Sequence, residues 1–338
     1  MMFLIQEMFR SFILTDKIKI GYVFEGLPLP YNRIMPSTRL RVYDIIKSFA
    51  NDNDFFVEIY KPWKKYDLVV FQKKFDESAN SLAKKLKAGG VKIVLDINVN
   101  YYDKSFLNED PKFQNRDVMN FTEICDGVIT TTEYIRDYVL GLFPNKNVAC
   151  IPENIDGKFF EKTKLGENTP LNLTYVGYST KASEILHIRD ILEGLRKKHA
   201  FRLLFICEKD PKIRMDGIES VFVKYDQKKI HRQLLDGDIA IYPRDLSNGY
   251  NLGHSFTKIG YPMAAGIPII ADAVPSYLGS PAIICRSKSE WETNLENLLT
   301  DKSLREKLSL AGTDYCKKNF SLGLIHNQYV EFFKTILK

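Results

Sequence analysis

The sequence predicts an α/β fold of two doubly wound parallel sheets, on three observations. Short apolar runs of buried-strand type alternate with helical patterns along the chain. The alternation breaks once near residue 160 and then restarts, and 338 residues exceed what one core ordinarily supports. With 45% hydrophobic and 12% aromatic residues the chain has material for two packed interiors, which excludes wholesale disorder.

Residues 1–16 read as an N-terminal extension. In MMFLIQEMFRSFIL, Met1, Ile5, Met8, Phe9 and Phe12 share a helical face, a pattern common to a membrane-surface helix and to a terminal helix packed on the protein. It lacks the basic start and small-residue cleavage site of a signal peptide. The first domain is expected over 17–157. IKIGYVF opens it as a buried strand, followed by a Gly/Pro-rich loop, EGLPLPYNRIMPS. Ser37 is placed to cap a helix whose apolar residues Leu40, Ile45, Ile46 and Phe49 recur at helical spacing. FFVEIY and DLVVFQ are strands, SANSLAKKLKAGG is a helix closed by glycine, and VKIVLDIN and DGVITTT are strands. Helix TEYIRDYVLGLF and strand NVACIPE complete the series.

From Asn154 to Pro170 the chain is rich in charge, Gly and Thr, and 158–170 reads as the interdomain linker. The second domain, 171–320, runs LNLTYVG, helix ASEILHIRDILEGLRKK, FRLLFIC, SVFVKY, helix KKIHRQLLD and DIAIYP. A long polar loop, helix SFTKIGYPMAAG, IPIIAD, AIIC and further helices follow. The final helix, 321–338, is expected to pack back on the first domain.

The net charge of +6 is mildly basic, which suits an anionic small ligand or lipid headgroups. Without an arginine-rich run or zinc-knuckle spacing, no nucleic-acid partner is expected. The five cysteines are scattered and form no CxxC pair, so neither a zinc site nor a disulfide framework is indicated; buried thiols in a reducing cytoplasm are expected. No apolar run approaches the roughly 20 residues of a membrane span. GxGxxG is missing after both first strands and no Walker A sequence occurs, which argues against hydride chemistry and P-loop phosphoryl transfer.

Ligands of open α/β sheets bind beyond the carboxyl ends of the strands. The richest such place is the loop after DIAIYP, which runs RDLSNGYNLGHSFTKIGYPMAAG. Ser255 stands where a helix would start, and free amides there attract phosphate. Lys258, one turn on, is placed over the same anion, and His254 beside it is a further donor or charge. The plainer alternative is that Ser255 is only an N-cap and Lys258 a solvated side chain.

This stretch resembles the donor-site segment of GT-B glycosyltransferases, especially the retaining family 4 type, with Asp238, Pro243, Asn251, Ser255, Lys258, Met263, Ala264, Gly266 and Pro268 on the pattern. The resemblance implies two Rossmann-like doubly wound domains facing a central cleft, with a nucleoside-diphosphate sugar as donor substrate. It implies that His254, Ser255, Phe256, Thr257, Lys258 and Lys181 hold the donor diphosphate, and that Val223, Lys224 and Tyr225 line the base with Tyr261 near the ribose. Two positions depart from it: His254 replaces a frequent lysine, and Tyr261 replaces a ribose-binding glutamate. In the first domain STRLRVYDIIKSF resembles the opening helix of these enzymes, with Arg39 or Arg41 directed into the cleft. VLDINVNYYD resembles an acidic segment in which Asp96 and Asn100 match while Asn98 and Val99 do not. CDGVITTTEYIRDYV and VACIPENID resemble the segment of these enzymes that leads into the linker, which implies that Thr132 and Glu133 approach the cleft.

From that resemblance the expected activity is transfer of a sugar from the donor to a glycan or lipid-linked acceptor hydroxyl, with retention of configuration, in polysaccharide biosynthesis. Lys258 would stabilise the leaving diphosphate, and Asp96 is the candidate contact to sugar or acceptor. Asp236 and Asp238 flank Gly237 before a strand and read as a turn, not a metal-binding pair; neither metal nor other cofactor is expected. Location is expected to be cytoplasmic; peripheral association at the inner membrane face stays open. Two alternatives stay open: a nucleotide-sugar epimerase or hydrolase, against which His187, His199, His231 and His326 fall on helices, and a degenerate binding protein, which Tyr261 and Asn98 favour.

Overall fold

A computed structural model describes residues 17–26, 35–104, 115–155, 157–160 and 167–338. The N-terminal extension, most of the loop after the first strand and the middle of the expected linker lie outside the described residues. The chain divides into two compact units. Of the described residues, one holds those up to Thr131, Arg136–Ile151 and Ile325–Lys338, the other Thr132–Ile135 and those within Pro152–Leu324.

The first unit is built on six parallel strands, β1 (Ile18–Phe24), β2 (Phe55–Ile59), β3 (Leu68–Gln72), β4 (Lys92–Ile97), β5 (Gly127–Thr130) and β6 (Asn147–Cys150), in the order β2-β1-β3-β4-β5-β6. All five residues of β3 are buried, as an apolar central strand covered on both faces requires. The helix after β1 is less regular than its sequence spacing suggests. Pro36 opens it, its fixed φ and missing N–H suiting a first turn, and Met35 takes the cap position in place of Ser37. Residues Arg39–Tyr43 then form a π turn before α-helix resumes over Asp44–Ser48; the three pieces are α1. A wider turn shifts the buried face by a residue, and the consecutive residues Arg39, Leu40, Arg41 and Val42 all become buried. Asp76 caps α2 (Glu77–Ala88) by accepting from Ala79 N at 2.9 Å. Two more helices, α3 (Asn115–Ile124) and α4 (Glu133–Leu142), follow.

The second unit carries β7 (Leu171–Val176), a 3-10 segment (Ala182–Ile188) leading into α5 (Arg189–Arg196), β8 (Phe201–Cys207), β9 (Ser220–Lys224), α6 (Ile230–Gln233) and β10 (Ile239–Tyr242). Beyond them lie α7 (Gly249–Leu252), α8 (Thr257–Ala264), β11 (Ile269–Asp272), β12 (Ile283–Cys285), α9 (Lys288–Thr300) and α10 (Lys302–Phe320). The strands are parallel in the order β12-β11-β10-β7-β8-β9, the doubly wound order in which the chain reverses direction between β7 and β10. The loops leaving those two strands therefore start side by side, and ligands of such sheets bind there. Gly266 stops α8: at φ +80° its amide donates to Met263 O and that of Ile267 to Pro262 O, both 3.0 Å, a left-handed C-terminal cap that disfavours side chains.

The last helix, α11 (Leu322–Leu337), belongs to the first unit from Ile325 onward and buries Ile325, Tyr329, Phe332, Phe333 and Ile336 on one stripe. Gly127 of β5 lets it approach, since a Cβ there would stand 2.5 Å from Ile336 Cδ1 and 2.8 Å from Phe332 Cζ. All five cysteines are free thiols, four of them buried and Cys150 half-buried. Among the described residues no helix is long and apolar enough to cross a membrane.

Candidate functional site

At the switch point of the second sheet three cations gather with the carboxylates of Glu153, Glu184 and Asp272. Lys181 comes from the β7 loop, Arg244 follows β10, and Lys258 is the second residue of α8. Arg244 pairs with Glu184 and lies against the hydroxyls of Tyr175 and Tyr277, while its amide donates to Asp272 Oδ2 at 2.5 Å. Lys258 Nζ stands 5.9 Å from the Tyr178 ring centre and Lys181 Nζ 5.0 Å from that of Tyr250, cation–π distances. Burial, with Arg244 and Lys181 nearby, brings the Lys258 ammonium down to about 8, Glu153 opposing the shift.

His254 is neutral, not charged. Burial first, and then Arg244, Lys258 and Lys181, push its pKa well below the ordinary value. Asn251 Nδ2 donates to Asp245 O (2.9 Å) and Glu184 Oε1 (3.2 Å), which turns Asn251 Oδ1 toward His254 Nε2 at 3.1 Å. The hydrogen-bond network thus assigns the ring proton to Nε2 and the lone pair to Nδ1. The β7 loop is held by Glu208, which accepts from Ser179 N (2.9 Å) and Ser179 Oγ (2.5 Å). Burial lifts the Glu208 carboxyl, and these two donors outweigh it and leave its pKa lowered.

Helix α8 begins at Thr257, two residues later than Ser255. Ser255 Oγ donates to Glu153, contacts Thr257 Oγ1 at 3.0 Å and accepts from Thr257 N at 3.3 Å. Phe256 is 3% exposed and stacks on Phe320 at 4.2 Å, so only its backbone faces a ligand role. Tyr261 stacks on Phe159 at 4.5 Å. Val223 and Lys224 end β9 at the sheet edge, Tyr225 N donates to Cys207 O (2.7 Å), and the Lys224 carbonyl accepts from Gln233 Nε2 (2.7 Å). Asp238, expected in a turn, accepts from Asn172 N (2.7 Å) and Asn168 N (3.1 Å). Among the described residues no group of three or more His, Cys, Asp or Glu side chains is placed to hold a metal ion.

In the first unit the expectation for Asp96 needs correction. It is 0% exposed, with Oδ1 taken by Arg41 Nε at 2.5 Å and Oδ2 by Tyr329 Oη at 3.0 Å. Burial pushes its carboxyl up while Arg41 and Tyr329 pull it back. Both oxygens are spent inside the unit, so Asp96 is not offered to a sugar. Arg41, expected to point into a cleft, instead turns inward and also donates to Ile151 O at 2.9 Å; Arg39 is buried as well. Asn98 O accepts from Thr131 Oγ1 (3.3 Å), and Asn100 Oδ1 from Tyr102 N (3.2 Å). In the short stretch Thr132–Ile135, which groups with the second unit, Thr132 Oγ1 accepts from Ile135 N (3.2 Å) at the start of α4, where Glu133 is exposed.

Sequence reasoning did not single out Arg244, Glu184, Tyr178, Tyr250, Glu208 or Glu153. Arg244 carried a usable signal, being directly past the carboxyl end of a switch-point strand. The glutamates carried none, since each meets its partner across a long sequence separation.

No protein-family model matches the chain, and no curated protein matches it. Solved structures do. HepE of Anabaena, in complex with UDP and glucose, is similar at TM-score 0.63 and 11% identity, over 94% of this chain and 99% of that one. An α-glucosyltransferase in complex with UDP and a 13-mer DNA containing a HMU base aligns at TM-score 0.62 and 11% identity, over 95% and 100%. TarM aligns at TM-score 0.60 and 12% identity over 79% of this chain, which spans 54% of TarM. At such identities the likeness establishes the fold, which is that of the GT-B glycosyltransferases.

Proposed function

We propose that the protein is a glycosyltransferase that moves a sugar from a nucleoside-diphosphate sugar to a hydroxyl of a glycan or lipid-linked acceptor. One observation carries this reading: Lys181, Arg244 and Lys258 converge beside the hydroxyls of Ser255 and Thr257 where β7 and β10 diverge. That corner suits a diphosphate. UDP is the first nucleotide to test, because the HepE and α-glucosyltransferase structures hold it.

In the reaction the bond from the anomeric carbon to the diphosphate oxygen breaks, and its electron pair moves onto the leaving group. The Lys258 ammonium and the donors of Ser255, Thr257 and the amides around Phe256 stabilise that charge, an effect of several kcal/mol in such sites. Neutral His254 contributes a hydrogen-bonding ring without adding to the repulsion among the cations. The base lies toward Val223, Lys224 and Tyr225, two strands from β7 and so about 10 Å away, with Tyr261 flanking the nucleoside. The acceptor hydroxyl attacks from the leaving-group face and passes its proton to the departing diphosphate oxygen, with retention and without a protein nucleophile or metal. Asn98, Asn100, Thr132 and Glu133 are the acceptor-side candidates; Arg41 and Asp96 hold the first unit together. The resemblance points to a glycan or lipid-linked hydroxyl rather than a nucleic acid as acceptor, and to the cytoplasm as the place of reaction.

A thermal-shift screen of nucleoside diphosphates on wild type and Lys258→Ala tests the reading. One nucleotide, UDP first, raises the wild-type Tm, and the alanine variant loses most of that rise; equal shifts in both proteins refute the role of Lys258. Transfer is expected to persist in EDTA. The stacking of Tyr261 on Phe159 favours a second reading, a binding protein that has lost transfer; binding of a nucleotide sugar with no sugar released or transferred would select it.

A further inference from the structure

Glu153 lies in Ile151–Ile155, a stretch buried at every residue except Pro152, and is itself 5% exposed. Its Oε2 accepts from Ser255 Oγ and from Thr257 Oγ1, the latter at 3.4 Å, 102 and 104 residues away in sequence. The hydroxyl of Thr257, which opens α8, and that of Ser255 just before it therefore converge on one carboxylate, and that carboxylate favours the charged form of Lys258, which Arg244 and Lys181 disfavour. Hydroxyl donors, an ammonium group and a helix amino end are what a phosphate oxygen needs, and a carboxylate oxygen satisfies the same three.

We propose that Glu153 is a built-in counter-anion of this site, which keeps Ser255, Thr257 and Lys258 in the arrangement an anion requires and is displaced when a nucleoside diphosphate enters. This rests on the diphosphate reading of the site. A carboxylate and a diphosphate repel each other at one set of donors, so Glu153 lowers the affinity for the ligand while ordering its site. Release of the nucleotide after transfer is helped by the carboxylate returning to the same hydroxyls.

Calorimetric titration of UDP and of inorganic pyrophosphate into wild type and Glu153→Gln tests this. Glutamine keeps the size and an acceptor oxygen but not the charge, and it is expected to bind both probes about tenfold or more tightly. In thermal unfolding Glu153→Gln is expected to gain a larger pyrophosphate shift than wild type, and Glu153→Ala gives the same comparison with the acceptor oxygen removed. Unchanged or weaker binding in Glu153→Gln, with UDP binding by wild type intact, overturns the displacement: the carboxylate then stays in place and only positions the hydroxyls. Failure of wild type and variants alike to bind either probe overturns this inference together with the donor-site reading.

Discussion

Replacing Lys258 by methionine should stabilise the fold while removing nucleotide binding. The Lys258 ammonium is brought from the ordinary 10.5 down to about 8, chiefly by burial. The difference of about 2.5 converts, at about 1.4 kcal/mol for each pKa, to ~3 kcal/mol. Below pH 8 the amine is protonated in folded and unfolded chain alike, and folding bears the whole cost of burying the charge. Between pH 8 and 10.5 the unfolded chain holds the extra proton, so stability rises with pH and the cost fades. The side chain is half-buried, and solvent screening reduces the figure to ~2 kcal/mol. Methionine keeps the apolar stem packed and drops the charge. Denaturant unfolding at pH 7 and pH 9.5 checks this: Lys258→Met should be more stable by ~2 kcal/mol at pH 7, and the gain should shrink by about half at pH 9.5. A variant less stable than wild type at pH 7, or a difference that ignores pH, refutes the burial argument. A residue that costs stability at neutral pH is retained where its charge has another use.

Three further outcomes follow. Tyr329→Phe removes the hydroxyl that donates to buried Asp96 and should cost about 1.5–3 kcal/mol of stability in urea unfolding, with nucleotide binding unchanged. Gly127→Ala drives a methyl into Ile336 and Phe332 and should cost about 1–3 kcal/mol, with α11 the first element to lose hydrogen-exchange protection. His254, held neutral by burial and three nearby cations, should show no titration of its ring between pH 5 and 8 by NMR; a midpoint inside that range would refute its neutral assignment.

Much of the fold is legible because parallel strands buried on both faces must be apolar throughout. LVVF in β3, LLFI in β8 and IAI in β10 announce themselves this way. Even the edge strand β9, with its alternating burial, was recognisable from SVFV. Helix detail was less so. ASEILHIRDILEGLR reads as one helix, yet its first half, Ala182–Ile188, is 3-10, and hydrophobic spacing does not separate the two. The π turn at Arg39–Tyr43 is hidden for the same reason. Asp96 illustrates the limit for site residues. A carboxylate at the end of an apolar strand suggests chemistry, and only folding reveals that Arg41 and Tyr329, 55 and 233 residues distant, consume both oxygens. Ser255 and Lys258 were nameable from a helix start expected beyond a strand's carboxyl end, although α8 opens two residues later at Thr257, and Lys181 only through the family resemblance. Arg244 and Glu184, which complete the charge balance, meet only through the strand order.

A crystal structure of the UDP complex bears most directly on the account. It should place the diphosphate oxygens within about 3 Å of Lys258 Nζ and of the Ser255 and Thr257 hydroxyls, with the Glu153 carboxylate moved away from them. A diphosphate bound elsewhere in the second unit, leaving Lys258 and the start of α8 untouched, would contradict it.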